Sequence, residues 1–243
     1  MRLYRILSLI IVFLLFSLHS YAQEIPSTPR SRAAISRVRP ALENELASAG
    51  FRLGSAVFIR IFKASDELEV WLKDGDEFKL FKTYPICTYG GYGLGPKLRW
   101  GDGRAPEGFY FVTPKQLNPS SIFHLSFNLG YPNAYDRSHR RTGGALMVHG
   151  VCVSIGCYAM TDPGIEEIYT LLDAAFRKGQ PFFRVHIFPF RMIAENLSRH
   201  KDSEWYPFWT NLREGYDYFE QNGHIPPNVT VHNKRYVFGP SIH

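Results

Sequence analysis

The chain has 243 residues, of which 45% are hydrophobic and 21% are charged, and its formal net charge is +6. This composition predicts a folded protein with one substantial core, or one core and a small appendage. The positive surplus is mild, and the sequence has no basic stripe interleaved with aromatic residues, so we expect no nucleic-acid partner.

The first 22 residues have the layout of a secretory signal peptide. Arg2 and Arg5 form a short basic region, an apolar run follows over residues 6–18, and Ser20 and Ala22 supply small residues at positions −3 and −1 of a cleavage site. The apolar run is shorter than the about 20 residues that a membrane-spanning helix needs. We therefore predict export with cleavage after Ala22 and no stable membrane insertion afterwards.

Residues 23–54 are predicted to form a flexible basic lead-in that contains one short helix. Residues 23–39 are rich in Pro, Ser and Arg and have little apolar content, which is typical of a linker. The helix is predicted over Pro40–Ala49, because proline suits the first helical position and Gly50 suits the end of a helix.

Residues 55–188 follow a strand pattern through most of their length. The alternation of apolar and polar residues begins at Ala56, and Asp74–Gly75 is a strong signal for the tight turn of a hairpin. One helix is predicted from Asp162, as its N-cap, to Gly179, because apolar residues recur at helical spacing between them. Further strands are predicted to begin at Phe109, Phe123, Ala145 and Phe182.

Residues 189–243 are predicted to form a separate C-terminal α/β extension. The segment is helical to about Glu220, is dense in Trp and Tyr, and ends in a small hairpin over residues 229–238. The whole chain is thus predicted to be mostly β, with one packed helix in its core and this extension at its end.

The stretch "LMVHGVCVSIGCYAM", residues 146–160, concentrates the residue types that carry chemistry. His149, Cys152 and Cys157 are zinc-ligand types, but their spacing matches no common zinc pattern and a clear fourth ligand is missing. We therefore predict no metal site. Cys152 can form a disulfide with Cys157, which leaves Cys87 unpaired, or with Cys87, which leaves Cys157 free; both pairings stay open on the residues alone.

Cys157 as a nucleophile is the third interpretation of this stretch. A thiol needs a nearby base or a positive field to react, and His149 lies at the end of a predicted strand, where Gly150 lets the chain turn beside it. We expect the backbone amides of Gly156 and Cys157 to form an oxyanion hole. An odd number of cysteines in an exported chain leaves one of them for such chemistry.

The segment "HGVCVSIGC", residues 149–157, resembles the active-site signature of the L,D-transpeptidase catalytic-domain family, in which a His-Gly pair precedes an S-x-G-C nucleophile motif. The segment "GDGRAPEGFYFV", residues 101–112, is similar to the family's lead into a core strand. The likeness covers roughly residues 55–188, and it implies a β-sandwich core for this catalytic domain.

The resemblance implies a cysteine enzyme that forms a thioester with peptidoglycan stem peptides near meso-diaminopimelate. Carried over to this sequence, Cys157 is the nucleophile, His149 is its base, and the Gly150 carbonyl is one group that orients the imidazole. Ser154 and Gly156 belong to the nucleophile loop. No cofactor is implied.

The motif departs from the main branch of that family at two positions. Ile155 and Ala159 stand where the main branch has a histidine before the cysteine and an arginine after it. The compact form resembles a Gram-negative subgroup that includes an amidase that releases murein-bound lipoprotein from diaminopimelate. This implies a periplasmic protein with stem peptides and murein-bound lipoprotein as partners, and it favours hydrolysis.

Two alternative functions stay open. One is an L,D-transpeptidase that forms 3-3 crosslinks or attaches lipoprotein, and the other is a non-catalytic envelope binding module. In either enzyme, another basic group must hold the substrate carboxylate because Ala159 cannot, and arginine suits that task. The predicted substrate-binding residues are Lys97, Arg104, Tyr135, Arg137, Ser154 and Tyr158.

Overall fold

The structure is a computed structural model that describes residues 24–226 and 228–239. Its helices are α1 (Pro29–Ser48), α2 (Ala134–Ser138), α3 (Asp162–Arg177), α4 (Ala194–Arg199) and α5 (Tyr206–Asn222), with a short 3-10 helix at Pro114–Gln116. Its strands are β1 (Val57–Phe62), β2 (Glu67–Asp74), β3 (Glu77–Pro85), β4 (Gly108–Val112), β5 (Leu117–Asn118), β6 (Ser126–Asn128), β7 (Met147–His149), β8 (Tyr158–Ala159), β9 (Phe183–Phe188), β10 (Asn228–His232) and β11 (Arg235–Gly239). The predicted signal peptide, residues 1–22, lies outside the described residues. Within them, no helix has the length and apolar character needed to cross a membrane.

Helix α1 begins well before Pro40, where the sequence predicted a helix to begin. Thr28 and Ser31 form a capping box, in which each side chain accepts a hydrogen bond from the other residue's backbone amide. Pro29 occupies the first turn, where its missing N–H removes no helical bond. Pro40 lies inside the helix on its exposed side. The prediction of a flexible segment up to residue 39 was therefore wrong.

The packing of α1 explains why its sequence pattern is weak. Its buried positions are Ser31, Ala34, Leu42 and Leu46, so half of the buried stripe is a serine and an alanine. Small residues give little hydrophobic periodicity in the sequence, yet they allow close packing on the domain. Ala34, Leu42 and Leu46 join the same hydrophobic cluster as the buried face of α3, which makes α1 a second helix packed on the core.

Five strands form one mixed sheet in the order β3-β2-β1-β9-β4. Strand β1 runs parallel to β9 and antiparallel to β2, and all six of its residues are buried because both faces of the sheet are covered. Ile59 and Ile61 belong to the hydrophobic cluster that includes α3, whereas Phe62 belongs to the cluster that includes α5. The alternation along β1 thus supplies two hydrophobic cores.

The predicted β2–β3 hairpin is present. Asp74 pairs with Glu77, so the two turn residues are Gly75 and Asp76, one position later than the Asp74–Gly75 signal suggested. Gly75 has a positive φ of 59°, which suits glycine in a tight turn.

A second sheet has the order β5-β6-β7-β8. Strand β6 begins at Ser126 rather than at the predicted Phe123, because His124 has a φ of 68°, in the left-handed region that strand residues do not adopt. Strand β7 lies antiparallel to β6 and parallel to β8. Buried residues of this sheet join those of the five-stranded sheet and α3 in one core, which confirms the predicted mostly β fold.

Helix α3 has the predicted extent, but its cap differs from the prediction. Thr161 is the N-cap, and its side chain accepts a hydrogen bond from the amide of Gly164. The Asp162 side chain instead accepts a bond of 2.8 Å from the amide of Val151, so it ties the helix start to the loop after β7.

The C-terminal extension contains α4, α5 and the β10–β11 hairpin, as the sequence predicted. Aromatic residues of α5, including Trp209 and Tyr216, pack with Phe109 and Phe188 on the second face of the five-stranded sheet. Gly215 permits this close approach, because a Cβ there would lie 2.4 Å from the Phe238 ring and 2.6 Å from the Phe109 ring. The extension is therefore part of the folded core.

Candidate active site

Strands β7 and β8 bring His149 and Cys157 to the same face of the four-stranded sheet. Val148 lies opposite Tyr158 and His149 lies opposite Ala159 in this parallel pair. Paired residues share a face and faces alternate along a strand, so Cys157, two residues before Ala159, shares the face of His149. One step across and two residues along correspond to about 8 Å between Cα atoms, which two inclined side chains can bridge.

The His149 imidazole is held in one tautomer. Its Nδ1 lies 2.6 Å from the Gly150 carbonyl oxygen, and a carbonyl only accepts, so Nδ1 carries the proton and Nε2 is left with its lone pair. Burial lowers the pKa of His149 below its ordinary value of 6.5, and the Gly150 carbonyl opposes that shift. The neutral ring is a competent base at neutral pH.

The Cys157 thiol is the one free cysteine among the described residues, and it is half-buried. Burial raises its pKa, while the Met147 backbone amide and the Lys97 ammonium act to lower it. Its Sγ lies 3.8 Å from the Ala145 carbonyl oxygen, which a protonated thiol can approach as a weak donor. At neutral pH the site therefore contains a neutral thiol on Cys157 and a neutral imidazole on His149.

Ser154 organises the turn before the cysteine. Its Oγ accepts hydrogen bonds from the amides of Gly156 at 3.1 Å and Cys157 at 2.8 Å, and it donates to the Cys157 carbonyl at 2.7 Å. The predicted oxyanion donors, Gly156 and Cys157, are thus both engaged by this hydroxyl. Ser154, predicted to bind substrate, shapes the loop instead, because its oxygen has no capacity left for a ligand in this arrangement.

A disulfide anchors the start of the nucleophile loop. Cys87 and Cys152 are joined, with Cα atoms 5.3 Å apart, which is the pairing that leaves Cys157 free. Cys152 and its neighbour Val151 both have positive φ values, 42° and 68°. Such left-handed residues persist only where the surroundings fix them, and the disulfide supplies a covalent constraint.

The loop also crosses two other chain segments at close range. A Cβ on Gly90 would lie 2.6 Å from the Gly103 carbonyl and 3.0 Å from the Gly156 amide. A Cβ on Gly156 would lie 3.1 Å from the Arg104 carbonyl. Residues 90 and 156 are therefore restricted to glycine by packing, and the glycine-dense loop of residues 90–103 forms a wall beside the nucleophile loop.

Lys97 lies in this wall with Asp102. The Lys97 Nζ is 2.6 Å from Asp102 Oδ1, and both side chains are buried. Asp102 also accepts backbone bonds from Leu98, Arg99 and Arg104, and together these contacts lower its pKa against the effect of burial. Lys97 is therefore paired within the protein, and it acts on Cys157 through its positive field rather than as a free binding group.

A cavity of about 500 Å³ opens in the same wall. Arg99 and Arg104 line it, and the Arg104 guanidinium donates a bond of 3.1 Å to the Leu94 carbonyl. The other lining residues are Tyr92, Leu98, Gly101 and Asp102. Two arginines in a concave site next to the nucleophile loop suit an anionic group such as a carboxylate.

Two other predicted binding residues, Tyr158 and Tyr135, pack within the fold away from the nucleophile loop or beneath it. Tyr158 is fully buried, and its hydroxyl donates to the Pro106 carbonyl at 2.7 Å. Tyr135 is buried in the second hydrophobic cluster, where its ring stacks on Tyr236 with centroids 4.4 Å apart. The prediction for Tyr158 was wrong, because its side chain was recruited into the core. Tyr135 lines a separate cavity with His139 and Arg235, and no residue of the nucleophile loop lines that cavity.

Arg137 lies apart from the arginines of the wall. Its guanidinium donates a hydrogen bond to the Pro132 carbonyl, and it lines a different cavity of about 600 Å³ together with Phe111 and Asn128. Asn128 pairs with Met147 across β6 and β7, so this second cavity opens at the end of the same sheet that carries the nucleophile.

Sequence reasoning missed Phe123 and Met147. The Phe123 ring stacks on the His149 imidazole with centroids 4.6 Å apart and an interplanar angle of 29°. The Met147 amide interacts with Cys157 and lowers its pKa. The alternation along residues 145–149 places Met147 on the face of His149 and is a signal that could have identified it. No sequence signal indicates the contact of Phe123.

A metal site requires several ligand side chains near one point. Within residues 24–226 and 228–239, no group of three or more His, Cys, Asp or Glu side chains lies in a position to hold a metal ion. Cys152 is bonded to Cys87, which removes one of the three candidate metal-ligand residues of the segment 146–160.

The sequence is similar to known proteins of one family. Residues 56–187 match YkuD, the L,D-transpeptidase catalytic domain. The chain is 51% identical over 185 residues to the Escherichia coli K12 protein named "Putative L,D-transpeptidase YafK", and this similarity covers 76% of the chain and 74% of that protein. The counterpart in Escherichia coli O157:H7 gives the same figures.

Solved structures with a similar fold are more distant. The helical cell shape determining protein Pgp2 from Campylobacter jejuni is 20% identical with a TM-score of 0.44, and the match covers 61% of this chain and 55% of that one. Bd1075 from Bdellovibrio bacteriovorus is 24% identical with a TM-score of 0.38, covering 68% of this chain and 62% of that one.

Proposed function

Because the chain belongs to the L,D-transpeptidase catalytic-domain family, we propose that it is a periplasmic cysteine enzyme that opens meso-diaminopimelate peptide bonds of peptidoglycan. The family assignment supports an enzyme that acts on peptidoglycan. The observation that carries the cysteine mechanism is the placement of Cys157 and His149 on one sheet face, with the imidazole fixed as a base by the Gly150 carbonyl.

In the proposed reaction, His149 Nε2 takes the thiol proton as Cys157 Sγ bonds to the carbonyl carbon of the diaminopimelate amide. The imidazolium then gives that proton to the leaving amine as the C–N bond breaks, which leaves a thioester on Cys157. Water, with its proton taken by His149, resolves the thioester to a carboxylate and restores the thiol. The raised pKa of Cys157 favours this general-base route over a preformed thiolate.

We propose that the arginine cavity holds a substrate carboxylate. Arg104 and Arg99 line it, and the Arg104 backbone packs against Gly156 of the nucleophile loop. Lys97 contributes its field to the thiol while it is paired with Asp102. Tyr135, Tyr158 and Ser154 take no part in this proposal, because their polar groups or rings are used by the fold.

Hydrolysis is favoured over crosslink formation, with release of murein-bound lipoprotein as one form of it. Ala159 is fully buried and pairs with both His149 and Thr88, so this position offers no side chain to clamp a carboxylate behind the nucleophile. A second amine acceptor requires its own binding groups to compete with water. The runner-up is transpeptidation, in which a diaminopimelate amine resolves the thioester.

Product analysis separates these reactions. The full-length purified protein is incubated with sacculi that carry bound lipoprotein and, separately, with defined muropeptides, and the Cys157→Ser variant is the matched control. The proposal predicts released lipoprotein or shortened stem peptides with the wild type and neither with the variant. Accumulation of 3-3 crosslinked dimers without release would establish the transpeptidase instead, and binding without any product would favour an envelope binding module.

A further inference from the structure

We propose that Phe123 positions the catalytic imidazole by stacking on His149, and that helix α1 holds Phe123 in place through Arg30. The inference rests on the proposed role of His149 as the base of the reaction. It assigns a function to α1, which lies outside residues 56–187, the part of the chain that matches the catalytic domain.

The imidazole is fixed on two sides by groups that are themselves connected. One edge bonds the Gly150 carbonyl through Nδ1, and one face stacks on the Phe123 ring, with centroids 4.6 Å apart. The Gly150 amide in turn donates to the Phe123 and Leu125 carbonyls at 3.1 and 3.2 Å. A shift of Phe123 therefore moves both the stacking partner and the carbonyl that orients the ring.

Helix α1 and its N-cap residue form hydrogen bonds to the segment that carries Phe123. Arg30 donates from one guanidinium nitrogen to the Ser121 carbonyl at 2.7 Å and to the His124 carbonyl at 3.1 Å, so its two acceptors bracket Phe123 in the chain. The Thr28 hydroxyl adds a bond of 3.1 Å to the Pro119 carbonyl. Charge-assisted bonds to backbone carbonyls fix the path of a loop without using its side chains.

A second contact holds the far side of the same segment. His124 has a φ of 68°, in the left-handed region that favours glycine over other residues. Its Nε2 lies 2.7 Å from Glu166 on α3, and the buried Glu166 carboxylate also binds Arg37 of α1. The strained residue is thus stabilised by two helices, which is consistent with a segment whose position matters.

The test measures kcat and KM in variants of Phe123, and it compares removal of Arg30 with removal of Arg32. Phe123→Leu keeps an apolar side chain but removes the stack, and we expect kcat to fall on the order of tenfold with KM unchanged within about twofold. Phe123→Tyr restores a ring and should recover most of that loss.

Arg30→Ala should lower kcat by about threefold. Arg32→Ala removes the same charge two residues away, where the guanidinium bonds the Ser27 hydroxyl, and should leave kcat unchanged.

A spectroscopic measurement follows the position of the ring independently of turnover. The carbon-bound protons of His149 should show an upfield ring-current shift in the proton NMR spectrum of the wild type and of Phe123→Tyr. Phe123→Leu lacks the ring that causes the shift, so the informative variant is Arg30→Ala, in which the ring remains and a reduced shift reports a displaced stack, while the thermal unfolding midpoint should change by only a few degrees. Loss of the shift with a normal kcat would contradict the positioning role.

The outcomes that overturn this proposal differ from those that overturn the proposed function. An unchanged kcat in Phe123→Leu, a purely KM effect, or equal losses in Arg30→Ala and Arg32→Ala would each contradict the positioning role. A wild-type protein that turns over no muropeptide would contradict the proposed function. In that case the ring-current shift of the His149 protons in Arg30→Ala still shows whether α1 fixes the position of Phe123 relative to the imidazole.

Discussion

The two sheets of the catalytic domain differ in how they are covered and strained. The five-stranded sheet is enclosed on both faces, by α3 on one side and by α5 on the other, and its central strand is buried throughout. The four-stranded sheet is made of strands of two or three residues, and it carries His149 at the end of β7 and Cys157 just before β8. The proposed reaction is therefore assigned to the smaller sheet, beside which the Cys157 thiol is half-buried.

Backbone strain follows the same division. Residues with positive φ at non-glycine positions flank strands β6 to β8, and these residues are His124, Ala145, Val151 and Cys152. In the five-stranded sheet, the residue of this kind is Asp66, in the turn between β1 and β2. Strained residues need external support, and here the disulfide and the contacts of α1 supply it. The conformation of the four-stranded sheet thus depends on contacts from distant parts of the chain.

The largest expected effect comes from the nucleophile itself. Cys157→Ser replaces the thiol by a poorer nucleophile of similar size, so kcat should fall on the order of 10⁴-fold or more while the unfolding midpoint stays close to that of the wild type. Turnover of muropeptides and thermal unfolding are measured on the same preparation. Residual turnover above about one per cent would contradict the role of Cys157.

Removal of the disulfide should destabilise the protein and release the nucleophile loop that it anchors. The double variant Cys87→Ser, Cys152→Ser opens a cross-link with a sequence separation of 65 residues, and we expect the free energy of unfolding to fall by about 4 kcal/mol, with loss of kcat. Urea denaturation and turnover below the transition check both effects. A variant with wild-type stability and activity would show that the disulfide does not support the nucleophile loop.

Glu107→Gln tests the enclosed sheet. The Glu107 carboxylate lies 2.9 Å from the fully buried Lys63 Nζ and accepts bonds from the Trp209 indole and the Gly95 amide. Neutralising one partner leaves a buried charge, so the free energy of unfolding should fall by about 3 kcal/mol, with kcat of the folded protein little changed. The control is Glu214→Gln, whose partner Arg235 is exposed. Equal stability of the two variants would contradict this account.

The smallest expected effects are on pH dependence, and they come from two buried histidines, His149 and His186. Burial lowers the pKa of His149 below 6.5, and it lowers that of His186, enclosed among aromatic rings, much further. As pH falls through 6.5, the unfolded chain binds protons that the folded protein resists, so stability should decrease, and His186→Phe should flatten that decrease. The acid limb of kcat/KM should lie below pH 6.5, because it follows His149, and it should survive in His186→Phe. Loss of that limb in the variant would contradict the assignment.

Local patterns in the sequence predicted much of the enclosed sheet and of α3. Asp74–Gly75 located the hairpin, and the helical spacing of apolar residues from Ile165 located α3, because these signals act over a few neighbouring residues. The β7–β8 region was located by its motif. Helix α1 was missed up to residue 39, because part of its buried stripe is Ser31 and Ala34.

The details of the site depended on contacts that no local pattern encodes. Tyr158 was taken for a pocket residue, but tertiary packing buried it completely. The amides expected to bind an oxyanion are engaged by Ser154, a contact set by the exact path of one turn. The stack of Phe123 on His149 depends on Arg30, more than 90 positions earlier in the chain. Long-range contacts of this kind become visible only in the folded chain.

In the proposed reaction, Cys157, deprotonated by His149, forms a covalent thioester with a diaminopimelate-containing peptide. Intact-mass spectrometry of the full-length protein, acid-quenched during turnover of a stem tetrapeptide, detects this intermediate. We expect a mass increase equal to the acyl fragment, mapped by proteolysis to the peptide that contains Cys157 and removed by neutral hydroxylamine. Steady-state turnover with no adduct, or with the adduct on another residue, would contradict it.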